Sequence, residues 1–368
     1  MTSSPVHHER TAALLGISLG VAFGVCMVTG LLSHAAQANL SWFPWPARPA
    51  WLYRVTQGTH VFAGLATIPL LLGKLWTVYP RLWRWPPLAG VAHAVERLAL
   101  IPLVGGALLL LVTGVTNIDN WYPYRFFFVT AHYWTGWITM GALVVHIGAK
   151  WVVAGRALRD RDATSRSSPA GLRRRQFLAA IAAAAGAVAL TTVGSAITPL
   201  GRLAVLATRR PGVGPQGLPV NHNASAAGVP DVRDDPSYRL RVSGSVRRPL
   251  ALDLATLRSR ADHEAALPIS CVEGWSFSAR WRGVRLRDLL DEAGADPRAG
   301  LVVRSLQTRG AYSTARIGAA HARHPDTLLA LEVNGEPLHP DHGFPVRLIA
   351  PDNPGVLQTK WVEEVEVQ

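Results

Sequence analysis

Two kinds of side chain in this 368-residue sequence have the chemistry for redox work: imidazoles within apolar runs, and one cysteine well beyond them. Seven histidines fall in the first 200 residues. Several lie in segments too apolar for a solvated charge, where an ionisable group points to function. His132 and His146 occupy the same apolar run. On a helix they are separated by about 21 Å of rise and about 1400° of rotation, some 40° short of four turns. Both rings then share one face at opposite depths, the arrangement required by two haems stacked across a membrane. His60 lies in the apolar run parallel to that of His132 and near the same outer edge. His60 and His132 are the expected axial pair of an outer b-type haem, since imidazole is a natural ligand for iron. An inner haem would use His146. Its partner would be His93, at the start of the third run, or His7 or His8 before the first, because the position equally far beyond His60 holds Lys74. One or two haems are therefore expected.

Only two cysteines occur, Cys26 and Cys271. Cys26 sits in the first apolar run, where it reads as a small apolar filler and excludes a disulfide framework. Cys271 ends a strand-like stretch and precedes a turn, which can present a thiolate at the rim of a sheet. Thiolates are soft, strongly donating ligands for a redox metal, although a lone cysteine is more often a buried apolar residue. The flanking residues read Pro268-Ile-Ser-Cys271-Val-Glu273-Gly-Trp275-Ser, then Trp281-Arg-Gly-Val284-Arg-Leu286-Arg-Asp-Leu-Leu290. Further on come His342-Gly-Phe-Pro345-Val-Arg347-Leu-Ile-Ala-Pro351, Gly355 and Lys360-Trp361-Val. Over most of residues 215–368 this pattern resembles the sulfite-oxidase-type molybdopterin domain.

The resemblance implies that Cys271 ligates molybdenum and that a pyranopterin dithiolene supplies two more sulfurs. It implies that His342 and Arg347 contact the pterin and its phosphate, with Lys360 and the backbone around Gly355 closing on it. Asn221 and His222, in Leu218-Pro-Val-Asn221-His222, match the family's pterin-contacting segment. A bidentate guanidinium suits phosphate. Cys-Val-Glu-x-Trp-Ser is closer to the periplasmic methionine sulfoxide reductase branch than to sulfite oxidases proper, which typically carry an Asn-Arg-containing run after their cysteine. The membrane half resembles bacterial cytochrome b561-type subunits in its histidine spacing. Trp275, Arg280 and Arg282 are candidates for the substrate pocket.

The elements that must hold these residues follow from hydropathy. A span of the hydrocarbon core needs roughly 20 apolar residues. Four such runs occur at 11–33, 55–79, 94–115 and 133–153, and a fifth, alanine-rich, at 176–198. Between them, 13 basic residues face one side and 3 (Arg48, Arg54 and Arg125) the other. The positive-inside rule then puts the N-terminus in the cytoplasm and the C-terminal domain outside the cytoplasmic membrane. Trp42, Trp45, Trp51, Trp83, Trp85, Trp121 and Tyr122 crowd the expected interfaces. The net charge of +13 is thereby read as membrane orientation, and no nucleic-acid partner is expected. Arg174-Arg175-Gln176-Phe177-Leu178 resembles a twin-arginine export motif before a moderately apolar segment, placed internally here. Such export suits a domain that receives its cofactor before crossing.

The expected organisation is multidomain: an all-α transmembrane bundle of five helices followed by an α+β molybdopterin domain. Residues 1–160 would form the cytochrome b-type part, 161–200 the export-like motif and fifth helix, and 201–368 the outer domain. Within the last, 202–237 reads as an irregular arm. Strands are expected at 238–244, 267–271, 301–306, 346–350 and 361–367, and helices at 252–260 and 285–292. The expected function is quinol-fed reduction of an S- or N-oxide such as methionine sulfoxide, passing through haem to molybdenum. Its alternatives are sulfite-type oxidation with electrons passed to quinone, and a non-catalytic module that keeps only the fold.

Overall fold

The computed structural model describes residues 5–40, 42–82, 90–159, 169–193, 202–210, 212–233 and 235–368. Long helices fill the first half: α1 (Glu9–Ala38), α2 (Leu52–Leu82), α3 (Val91–Leu100), α4 (Gly106–Ile118), α5 (Phe128–Arg159) and α6 (Pro169–Val193). The third expected run is one rod in two pieces, because a π-helical turn (Ile101–Gly105) joins α3 to α4. Pro102 lies in this turn and, lacking an N–H, cannot continue the regular ladder. The fifth run begins earlier than expected, so that Arg174 and Arg175 lie inside α6. Residues 194–198 of the expected run, Trp83 and Trp85 lie outside the described residues. Among the described residues, five helices are long and apolar enough to cross a membrane.

The chain divides into two compact units, Met1–Thr29 with Thr59–Thr192, and Gly30–Gly58 with Val193–Gln368. In the first, Leu19, Leu71 and Ala107 form a small buried cluster with Phe23, Leu70, Leu75 and Leu111 around it. Gly106 lets α4 approach α5 closely, since a Cβ there would meet the Thr139 hydroxyl at 2.2 Å, the small-residue packing typical of apolar helix pairs. Hydroxyls in these helices bond back to carbonyls one turn earlier, Thr77 to Gly73 at 2.8 Å and Thr113 to Leu109 at 2.7 Å. This satisfies polar groups that hydrocarbon would leave bare.

The second unit is α+β. After the arm, which holds a one-turn helix α7 (Ala224–Ala227), come β1 (Leu240–Gly244), β2 (Leu250–Leu252), α8 (Leu254–Ser259), β3 (His263–Ser270) and β4 (Ser276–Arg285). Then follow α9 (Leu286–Ala293), β5 (Leu301–Ser305), β6 (Thr314–Ile317), α10 (Ala319–Ala322), β7 (Leu328–Val333), β8 (Glu336–Pro337), β9 (Arg347–Ile349) and β10 (Val362–Val367). One sheet has the order β2-β1-β10-β5-β6; the other runs β3-β4-β7-β8, with β9 also on β7. Only β1–β10 is parallel among the described pairs. Strands β2, β4, β6, β7 and β8 were not among the expected ones. In β4 the alternation is nevertheless plain: Phe277, Ala279 and Trp281 point inward, Ser278, Arg280 and Arg282 outward. Arg280 and Arg282 pair there with Glu264 at 3.8 Å and Glu332 at 3.6 Å. They are exposed residues on the outer face of the sheet.

Candidate functional site

Cys271 sits at the tip of the β3–β4 hairpin. Its N–H donates to the Trp275 carbonyl at 2.9 Å and its carbonyl accepts from Gly274 at 3.0 Å, so the tip is a tight turn in which Gly274 takes the left-handed conformation (φ 91°). The side chain is only 2% exposed. Its sulfur accepts the backbone N–H groups of Val272 and Glu273, and the Asn221 amide lies 3.8 Å away as a further donor. Burial, reinforced by the nearby Glu273 carboxylate, pushes the thiol well above its usual range; the two N–H groups and Arg209 pull the other way. A buried sulfur ringed by donors is built for a thiolate whose counter-charge arrives with a metal. Gly355 closes over the same turn, since a Cβ there would stand 2.9 Å from the Ser270 carbonyl oxygen and 3.4 Å from Cys271 Cα.

The residues of the expected pterin segment converge. His342 Nε2 donates to the Pro215 carbonyl at 2.8 Å. Lys360 donates to the Asp341 carbonyl at 3.0 Å and to the His222 carbonyl. Asp341 accepts from the Ala224 N–H at 2.8 Å. The arm at 215–224 is therefore tied to the 339–347 stretch and to the start of β10. Arg347, on β9, is buried, donates to the His342 carbonyl at 3.1 Å and stacks 5.5 Å above the Trp281 ring. Burial brings its guanidinium down to about 10, which still leaves it charged, and brings Lys360 to about 7, with the like charge of Arg347 adding to the effect. Burial and Lys360 also lower His222, and burial takes His342 to about 4.

Three enclosed nitrogens here have no hydrogen-bond partner: Arg347 Nε, His222 Nε2 and Arg209 Nε. Neither Arg347 nor Lys360 is in an ion pair among the described residues. Buried donors and cations without partners are costly, and an anion-bearing, polar cofactor would satisfy them. Among the described residues no three His, Cys, Asp or Glu side chains converge to hold a metal ion, so a metal at Cys271 needs sulfur or oxygen ligands from an organic cofactor. On both counts the residues fit a molybdopterin.

Sequence reasoning missed two neighbours of this site. Arg209 acts electrostatically on both Cys271 and Glu273, and its only signal was an Arg-Arg pair in the arm. Tyr312, whose hydroxyl is made less acidic by burial and by the Cys271 charge, stands in a loop between β5 and β6. Glu273 itself is buried, accepts from Trp275 Nε1 at 2.6 Å and has its acidity weakened mainly by burial. Trp275 in turn stacks flat on Phe277, with centroids 5.0 Å apart.

In the helical unit, His60 on α2 and His132 on α5 face each other with ring centroids 6.2 Å apart. His60 Nδ1 donates to the Cys26 carbonyl at 2.9 Å. Thr113 gives its hydroxyl proton to Leu109 at 2.7 Å, so His132 Nδ1 donates to the Thr113 oxygen at 2.9 Å. With both Nδ1 atoms protonated, both Nε2 atoms carry a free lone pair, as outer partners of ligating histidines fix it. The ring separation is about what two imidazoles keep when one metal ion joins them through bonds of roughly 2 Å each.

The other histidines are placed differently. Lys74 donates to the Ala12 carbonyl at 2.6 Å, so a satisfied cation fills the position on α2 where a second ligand was sought. His7 Nδ1 donates to the Thr77 carbonyl at 3.1 Å, and His8 Nδ1 accepts from the Arg10 N–H at 3.2 Å. His146 is half-buried on α5. His93 lies on α3, and its side chain is outside the described residues.

Comparison with known proteins places the second unit. Residues 226–368 match the family described as "Oxidoreductase molybdopterin binding domain". The oxidoreductase YuiH of Bacillus subtilis (strain 168) is 32% identical over 150 residues, which cover 40% of this chain and 73% of YuiH. A sulfite oxidase of Gallus gallus is 38% identical over 36% of this chain and 35% of its own. The protein-methionine-sulfoxide reductase catalytic subunit MsrP of Gluconobacter oxydans (strain 621H) is 32% identical over 35% of this chain and 46% of its own. The chain thus spans less than half of the sulfite oxidase and MsrP chains it matches. A buried cysteine at a hairpin tip, the buried Arg347 and Lys360 cations near it and these relatives agree: the chain belongs to the molybdopterin-binding oxidoreductase family and is an oxidoreductase.

Proposed function

We propose that the chain is a membrane-bound molybdopterin enzyme that reduces an S- or N-oxide, methionine sulfoxide among them, outside the cytoplasmic membrane. Electrons would come from quinol through a b-type haem between His60 and His132. The observation that carries this reading is the Cys271 sulfur, buried among N–H donors beside unpartnered cationic and imidazole nitrogens. When bound, the molybdenum cofactor supplies two-electron oxo transfer and the haem supplies one-electron steps. Cys271 would ligate the metal; Arg347 and Lys360 would neutralise the pterin phosphate; His222, His342, Asn221 and the Gly355 backbone would orient the pterin. Trp275, stacked on Phe277, is buried beside the hairpin tip.

Five apolar helices and the basic excess on one side support the membrane reading, and the twin-arginine-like start of α6 supports delivery of a folded, cofactor-loaded domain. One haem is proposed, because Lys74 occupies the position that a second ligand on α2 would need. The buried Glu273 carboxylate beside Cys271 favours a neutral sulfoxide over a dianion such as sulfite. Arg209, close to the same sulfur, is the observation that favours the opposite reading, sulfite oxidation with electrons passed to quinone. The family makes the non-catalytic alternative the weaker one.

Metal and haem analysis of the detergent-purified chain tests the proposal. About one molybdenum per chain is expected in the wild type, with oxo-transfer abolished in Cys271→Ser; a wild type without molybdenum sinks the reading. Methionine sulfoxide should reoxidise haem previously reduced with dithionite. If sulfoxides and N-oxides fail to do so while sulfite reduces the haem, the direction is reversed.

A further inference from the structure

The stretch between α1 and α2 belongs to the same compact unit as the molybdopterin domain, although it is far from Cys271 along the chain. Gln57, in the first turns of α2, is buried. Its Nε2 donates to the Val272 carbonyl at 2.7 Å, and its Oε1 accepts from the Ser33 hydroxyl at 2.8 Å. Ser33 accepts in turn from Gln37 Nε2 at 3.0 Å and lies 3.2 Å from the Tyr53 hydroxyl. The Val272 carbonyl can only accept, so the end of the Gln57 amide that faces it is the nitrogen, and the oxygen faces Ser33. A second anchor is made through Asp352. Asp352 is buried and accepts from Trp45 Nε1 at 2.8 Å and from the Tyr53 N–H at 2.6 Å. Asp352 precedes Gly355, which packs on the Ser270–Cys271 backbone.

We propose that Gln57 is a positioning residue of the molybdenum site, which fixes the Cys271 turn by holding the Val272 carbonyl. Val272 follows Cys271 directly, and the peptide whose carbonyl Gln57 grips carries the Glu273 N–H that points at the Cys271 sulfur. Holding one end of this peptide plane aims the other. The turn is thus gripped twice, by Gln57 through Val272 and by Asp352 through the segment leading to Gly355. A free hairpin tip would fluctuate locally; this one is tied to α2, whose backbone ladder holds Gln57 in place. The inference rests on reading Cys271 as the metal ligand.

The test uses the full chain, in cofactor-free and cofactor-loaded forms, with Gln57→Leu and, should that variant fail to fold, the shorter Gln57→Asn. In the cofactor-free chain, hydrogen exchange of the 272–274 amides should quicken at least tenfold over wild type, with the melting temperature little changed. In the loaded chain, molybdenum content should be retained while the Mo(V) EPR signal shifts or broadens. Wild-type exchange rates at 272–274 would overturn the proposal, whatever the EPR signal. The exchange measurement needs no metal, so a failure of the molybdenum reading leaves it decisive for the contact, whereas unchanged exchange in a molybdenum-bearing chain fails Gln57 alone.

Discussion

Arg347 is the side chain whose chemistry is most exposed by the fold that buries it. Its guanidinium has an aromatic face beneath it and one carbonyl acceptor, yet no carboxylate and no partner at Nε. A buried cation in this state is costly by itself and is compensated by a bound anion. Arg347→Met should therefore stabilise the cofactor-free chain by roughly 1 kcal/mol while cofactor retention falls by about tenfold or more. Thermal denaturation and pterin quantification on the same preparations check both halves, and a variant that keeps its cofactor refutes the role. Arg347 was legible from the sequence because the run around it is dense and local. Arg209 was not, since its approach to Cys271 depends on how a Gly- and Pro-rich arm folds back.

Segments show the same division between local pattern and distant contact. Helices α8 and α9 were legible from amphipathic periodicity, and β3, β5 and β10 from short apolar stretches. Strand β7 is buried along most of its length, so it lacks the alternation that marks a strand with one wet face. In the stretch between the first two apolar runs, Trp42, Trp45 and Trp51 were read only as interfacial residues. The contacts of the 30–58 segment to Val272 and Asp352 span 215 and 299 residues of chain, beyond the reach of any window. At Asp352 that segment carries a pH signature. Burial raises the carboxyl from its ordinary 3.8 to about 7, against the opposing bonds from Tyr53, Trp45 and Leu52. The folded state therefore keeps a proton that the unfolded state releases, so this group's contribution is full below about pH 4 and declines as pH rises to about 7. The melting temperature of the wild type should fall relative to Asp352→Asn across that window. Parallel curves for the two proteins would show that Asp352 does not titrate as described.

At the scale of the whole molecule, two compact units are each built around one candidate redox centre, and this predicts that they can be disabled separately. His60→Ala or His132→Ala should abolish the low-spin bis-histidine optical spectrum, since each removes one of the two neighbouring imidazoles. Molybdenum content should stay near the wild-type value, because no residue of the Cys271 hairpin or the pterin segment changes. Optical spectroscopy and metal analysis of the two variants check this; a wild-type haem spectrum in both would refute the ligand assignment. The change from a helical first part to a molybdopterin-binding second part was legible early, in the contrast between a basic, apolar first half and a nearly charge-balanced second half.

Strand β10 pairs with β1 on one side and β5 on the other, so the strand that is made after its neighbours is the middle of their sheet. Until the ribosome has delivered residues 362–367, β1 and β5 have no common neighbour and both show an open edge, the template for wrong pairings. Closure of this sheet thus waits for synthesis of the whole domain and is governed by distant pairing, which is slow. A chain stopped short of residue 362 would lack the middle of the sheet, and every longer one passes through an interval in which the domain is made but not yet closed.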